Sequence, residues 1–125
     1  MNTLAFRMPQ NGTFFMVDAD CVGVMGSIPW EKNRQWSRLL AKSGTPLFVS
    51  AKPGVMTEEE QKEMAEYFAI NARQADVCEP LDWMDSICPS DWRINGETVH
   101  FDWYEESGLM GFTVKIGQAV PEELY

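Results

Sequence analysis

At 125 residues the chain has room for one domain with a modest core, and two domains would be too many. Nineteen acidic residues against ten basic ones give a formal charge of −9, which disfavours phosphate backbones and anionic headgroups and so excludes nucleic acid and membrane as partners. Cys21, Cys78 and Cys88 share no metal-ligating or CxxC spacing; no metal, cofactor or disulfide framework is expected, although one Cys78–Cys88 pairing stays open in an oxidising compartment.

The first twelve residues, MNTLAFRMPQNG, lack the apolar core of a signal peptide, and no stretch approaches the roughly 20 apolar residues of a membrane span. A soluble, unexported chain is expected. Leu4 and Phe6 read as the end of an apolar helix or turn closed by Pro9 and Gly12. Thr13 to Val17 then read as a first, buried strand running straight into two carboxylates, Asp18 and Asp20, with Cys21 and Gly23 behind them. Such a run delivers chemistry to the carboxyl end of a parallel strand, where α/β proteins bind ligands.

Gly23, Gly26 and Pro29 break the chain into a loop. From Trp30 to Lys42, the helical spacing of Trp36, Leu39 and Leu40 predicts a helix stopped by Gly44, with Trp36 assigned to the core. Pro46 to Ser50 predict a second strand, apolar enough to be covered on both faces of a parallel sheet, with Ser50 and Lys52 at its end. Thr57 with Glu60 forms a capping box, and the acidic run Glu58 to Glu60 suits the positive end of the helix that continues through Met64, Tyr67, Phe68 and Asn71.

After residue 75 the segment ADVCEPLDWMDSICPSDW has no clean period and reads as an ordered, irregular loop. Asn95-Gly96 is a hairpin signal between Trp92–Ile94 and Thr98–Trp103, and GFTVKI, residues 111 to 116, alternates like a further strand. The expected organisation is an α/β portion over residues 1–75 and an irregular loop with antiparallel β structure over residues 76–125.

The order and spacing of several segments resemble the last strand and helix units of the (β/α)₈ barrel in α-galactosidase-like glycoside hydrolases of the melibiase clan. Asp18-Ala19-Asp20-Cys21-Val22-Gly23 stands where that family has Asp-Pro-Asp-Met, a short apolar stretch and Gly. Trp30, Asn33 and Gln35 match its loop Trp and Asn/Gln-rich helix start, Thr45-Pro46-Leu47-Phe48-Val49-Ser50 its Pro-Leu-hydrophobic-Ser strand, and Ile70-Asn71 the end of its closing helix. Ala19 in place of Pro and Cys21 in place of Met depart from the pattern and bear on the galactose preference.

The fold implied by the resemblance is α/β: the last βαβα units of a TIM barrel, a partial barrel, followed by a C-terminal antiparallel β segment. Its implied function is that of the C-terminal part of a retaining glycoside hydrolase, inactive alone. The catalytic pair of that family lies on earlier strands, so this chain supplies no catalytic residue but part of a sugar pocket: Asp18, Asp20, Cys21, Trp30, Ser50 and Lys52. Two βα units cannot close a barrel, which takes eight strands and about 250 residues, so the chain needs its missing barrel segments or must pair with a second copy. The alternative is a non-catalytic carbohydrate-binding or structural module built on the aromatic-rich hairpin region, with Trp30, Trp83, Trp92 and Trp103 as platforms or core. Without the resemblance, Asp18 and Asp20 read as a loop-capping pair, Cys21 as a small packing residue, and the lone His100 as a structural strand residue.

Overall fold

The computed structural model describes residues 2–73 and 77–103. A short helix, α1 (Asn2–Arg7), runs into a 3₁₀ turn, Met8–Gln10, and buries Leu4, Ala5 and Met8. Strand β1 (Cys21–Val24), helix α2 (Trp30–Lys42), strand β2 (Phe48–Ala51) and helix α3 (Glu58–Asn71) follow, with β1 and β2 parallel and Val22 opposite Val49. A second sheet is antiparallel: β3 (Cys78–Pro80), β4 (Asp91–Ile94) and β5 (Glu97–His100), in that order.

The first strand lies later in the chain than expected. Thr13 to Val17 do not form a strand; they follow a tight turn in which Thr13 and Phe14 donate to the Gln10 carbonyl and Gly12 donates to that of Phe15. Val17 donates to the Asn11 side chain at 2.9 Å, and Phe14 is 81% exposed. Local side-chain acceptors thus satisfy a backbone whose apolar run suggested a ladder. In β1 itself the residues alternate: Val22 and Val24 are buried at 1% and 4% exposure, while Cys21 and Gly23 point to the other face.

The barrel expectation is overturned. The described residues form two small sheets, one of two parallel strands and one of three antiparallel strands, and no barrel closes. The physical reason is strand number and length: closure links eight staggered strands, whereas this parallel pair has four residues a side. Nor is β2 covered on both faces. Phe48 is 51% exposed, and Ser50 on the same face is exposed too.

The helices match their sequence signals. Asn33, Ser37, Leu40 and Ala41 lie on the buried side of α2, which packs on β1 and on α3. At the start of α3, Thr57 accepts from the Glu60 N–H while the Glu60 carboxylate accepts from the Thr57 N–H, the reciprocal box read from the sequence. Asn71 closes the other end by donating to the carbonyls of Leu40 and Thr45.

Asn95 (φ 52°) and Gly96 (φ 85°) turn β4 into β5 as the dipeptide predicts. The segment before the hairpin holds a strand that its lack of period concealed: β3 pairs with β4 through Pro80 and Trp92. The rest of that segment is ordered by Asp82, whose carboxylate accepts from the Ser90 and Asp91 N–H groups. Trp92 and Trp103 are buried and both indoles donate to the Pro89 carbonyl; the Trp103 ring stacks on Phe101 at 5.0 Å and meets Trp36 edge-on. One buried cluster draws on α1, β1, α2, α3 and the antiparallel sheet. Cys21 is exposed, Cys78 half-buried and Cys88 buried. The GFTVKI segment lies outside the described residues.

Candidate functional site

The parallel pair has two ends, and the residues singled out in the sequence divide between them. Because β1 begins at Cys21, Asp18 and Asp20 sit at its amino end, not at the carboxyl end where ligands gather in parallel sheets. They line a cleft of about 240 Å³ with Thr3, Leu4, Ala19 and Trp36. Both carboxylates are engaged in shaping the chain: Asp18 Oδ1 accepts from the Asp20 N–H at 2.8 Å and Asp20 Oδ1 from the Cys21 N–H at 2.7 Å. Asp20 takes a positive φ of 63°, tolerable for a short polar side chain. Local capping is therefore the work they are seen to do, and Cys21 is an exposed residue at the start of β1.

Ser50 is exposed within β2, paired with Gly23. Lys52 follows β2, its N–H donating to the Val24 carbonyl at 3.0 Å. Trp30 is the first residue of α2 and belongs to the carboxyl end of the pair. Strands of four residues span about 13 Å, so Asp18 and Asp20 do not meet Trp30 in one pocket.

The carboxyl end carries its own cleft, of about 180 Å³, lined by Val24, Gly26, Ile28, Pro29, Trp30, Asn33, Val55 and Glu60. Its walls follow from the fold: β1 delivers Val24 to the rim, the Gly26 turn (φ 89°) reverses the chain, and the starts of α2 and α3 close the sides. Pro29 precedes α2 and offers no side-chain cap, so the first N–H groups of that helix are not consumed by a capping side chain.

Trp30 is held in a network. Its Nε1–H donates to Glu63 on α3 at 3.1 Å, and the same carboxylate accepts from Tyr67 Oη at 2.7 Å and from Arg34 Nε. Burial by itself would raise the Glu63 carboxyl; the hydrogen bonds from Tyr67, Trp30 and Arg34, with the Arg34 charge, outweigh it and hold the group below its ordinary value. Burial, then the bond to Glu63, raises Tyr67. An aromatic side chain fixed this way loses little further freedom when a ligand packs on it.

Two polar residues of this cleft are not among the ligand contacts expected from the sequence. Glu60 was legible only as a helix cap. Asn33 was visible in principle, since an amide falls on the stripe of α2 that also holds Ser37 and Leu40, where apolar residues belong. His100 is exposed, with Nδ1 2.7 Å from Asp91 Oδ1, and lies in β5.

Among the described residues no group of three His, Cys, Asp or Glu side chains gathers as a metal site, and no helix is long and apolar enough to cross a membrane. No protein-family profile, curated protein or solved structure matches the chain.

Proposed function

We propose that this chain binds a carbohydrate without cleaving it, in the cleft at the carboxyl end of β1 and β2. The observation that carries this function is the composition of that cleft: an indole, Trp30, beside a carboxamide, Asn33, and a carboxylate, Glu60. An indole face packs on the C–H surface of a sugar ring, while amide and carboxylate exchange hydrogen bonds with its hydroxyls. A space of about 180 Å³ suits one ring rather than a drug-sized ligand.

Binding is favoured over hydrolysis because glycoside cleavage uses two carboxyl groups, about 5–5.5 Å apart for retention and about 6.5–9.5 Å apart for inversion. Among the described residues, Glu60 is the one acid lining this cleft. Asp18 and Asp20 lie at the opposite end of the strands, and the barrel that gave them a sugar-facing rim is not formed.

The test is a titration of the purified chain with methyl α-D-galactopyranoside and methyl α-D-glucopyranoside, followed by tryptophan fluorescence and calorimetry. Saturable binding of at least one of them, with Kd on the order of 1 mM, is expected, as is its loss in Trp30→Ala. Absence of saturable binding by either sugar, or binding indifferent to Trp30→Ala, would sink the proposal. Turnover of an aryl α-galactoside by the chain alone would replace it with a hydrolase.

A further inference from the structure

The parallel pair has one face in the core and one in water. Val22 and Val24 are buried and Val49 packs against the core, whereas Cys21, Phe48 and Ser50 on the other face are exposed. A side chain added at Gly23, on that outer face, would meet no atom within 4 Å. Parallel sheets are almost always covered on both faces, so a half-exposed phenylalanine in such a sheet marks a surface that lacks its cover.

The register arranges the outer face in rows. Cys21 lies beside Phe48, and Gly23 beside Ser50. The Lys52 N–H donates to the Val24 carbonyl, so the ladder runs one residue past β2, and strand alternation sets Met25, 48% exposed, and Lys52 in a third row on the same face. Bulk therefore stands in the two outer rows and is missing from the middle one. Charge is unequal as well: Asp18 and Asp20 come just before the first row, and Lys52 belongs to the last.

A pattern of this kind complements itself when turned end for end. We propose that two copies of the chain pack these faces together about a two-fold axis through the Gly23–Ser50 row, with strands antiparallel across the interface. β1 of one copy then covers β1 of the other, and β2 covers β2. The small middle rows meet and let the sheets approach to about the usual 10 Å. Phe48 of each copy takes the aliphatic stem of Lys52 of the other against its ring, and Cys21 takes Met25. The Lys52 ammonium is thereby carried toward the Asp18–Asp20 end of the second copy. Every contact occurs twice, as a closed isologous interface requires.

Charge selects this arrangement over its rival. A two-fold along the strands would set Asp18 and Asp20 of both copies side by side, like against like. The face is also small. Three rows on two strands run about 13 Å, which places the contact below roughly 1,200 Å², at the weak end of specific interfaces. A charge of −9 on each copy opposes association further. Dimerisation is accordingly weak, with Kd on the order of 100 µM.

The experiment is sedimentation velocity of the full chain from about 10 µM to about 1 mM, with alkylation of Cys21 followed by peptide mass spectrometry over the same range. A monomer–dimer equilibrium is expected, and alkylation of Cys21 should slow as concentration rises. Gly23→Val suits a strand and has room in the monomer, but it fills the middle row; it should keep the melting temperature while weakening the dimer by roughly tenfold or more. Phe48→Ser and Lys52→Glu, both at exposed positions, should weaken it as well. A chain that stays monomeric up to about 1 mM, or a dimer that Gly23→Val leaves undiminished, would overturn the proposal. Slow alkylation of Cys21 at every concentration would overturn it too, by showing that a segment of the same chain covers the face. Sedimentation and alkylation are both read on the wild-type protein, so the outcome does not hang on the folding of a variant.

Discussion

Replacing Glu63 probes the joint between α2 and α3 most directly. In Glu63→Ala the Tyr67 hydroxyl, on a residue only 7% exposed, loses its acceptor, and an unsatisfied buried donor costs about 1–3 kcal/mol. The Trp30 indole N–H, part-buried, adds roughly another 0.5–1 kcal/mol. Arg34, 44% exposed, adds at most a few tenths, because surface ion pairs are screened and entropically costly. The total is about 1.5–4 kcal/mol at pH 7, whereas Glu63→Gln keeps an acceptor oxygen and should cost about 1 kcal/mol.

The acid limb provides an internal check. Hydrogen bonds and the Arg34 charge depress the folded carboxyl below its ordinary 4.5, so its stabilisation is fully present above that value and is lost as pH falls through the lower, folded value. Urea denaturation of the three proteins at pH 7 and again at pH 3 measures both effects. The gap between wild type and Glu63→Gln should narrow at pH 3. A loss under 0.5 kcal/mol in Glu63→Ala, or a gap that widens in acid, would refute the network.

Three further substitutions test the frame around the cleft. Thr57→Ala removes the side-chain half of the α3 capping box and should lower stability by about 1 kcal/mol in a denaturant titration. Gly96→Ala meets no atom within 4 Å but sits at φ 85°, so about 1 kcal/mol should be lost through backbone strain alone, with the hairpin pairing retained in amide exchange. Trp92→Ala empties a fully buried site and breaks the bond to the Pro89 carbonyl; a loss of about 3–5 kcal/mol is expected, read as a steep fall in melting temperature or failure to fold.

Legibility followed how local each signal was. The helix at Trp30–Lys42, the Thr57–Glu60 box and the Asn95-Gly96 turn are each written within a few residues, and the structure has all three. The first strand was misplaced because FFMV is apolar without being part of a ladder; Asn11, Asp18 and Asp20 supply side-chain acceptors that bend the chain until Cys21. That displacement reverses the site. A strand ending at Val17 would carry Asp18 and Asp20 on its carboxyl rim, while a strand starting at Cys21 puts them behind it. β3 was hidden because three residues pairing with a distant strand leave no period to read.

Of the residues at the working end, Trp30 carried a recognisable signal, and Asn33 and Glu60 carried signals for other things. The same atoms serve both purposes. Glu60 caps α3 through Oε2 and lines the cleft because the capping position of a helix that follows a parallel strand is necessarily at the strand's carboxyl end. Glu63 ties α2 to α3 and, through Nε1 of Trp30, fixes the indole that would meet a ring. Asn33 is the exception: its amide nitrogen finds no partner among the described residues, so its burial on a stripe suited to Leu is a cost that the described fold does not repay. Asn33→Leu, close in size and without the stranded donor, should therefore raise the melting temperature, and an unchanged or lower one would contradict that cost.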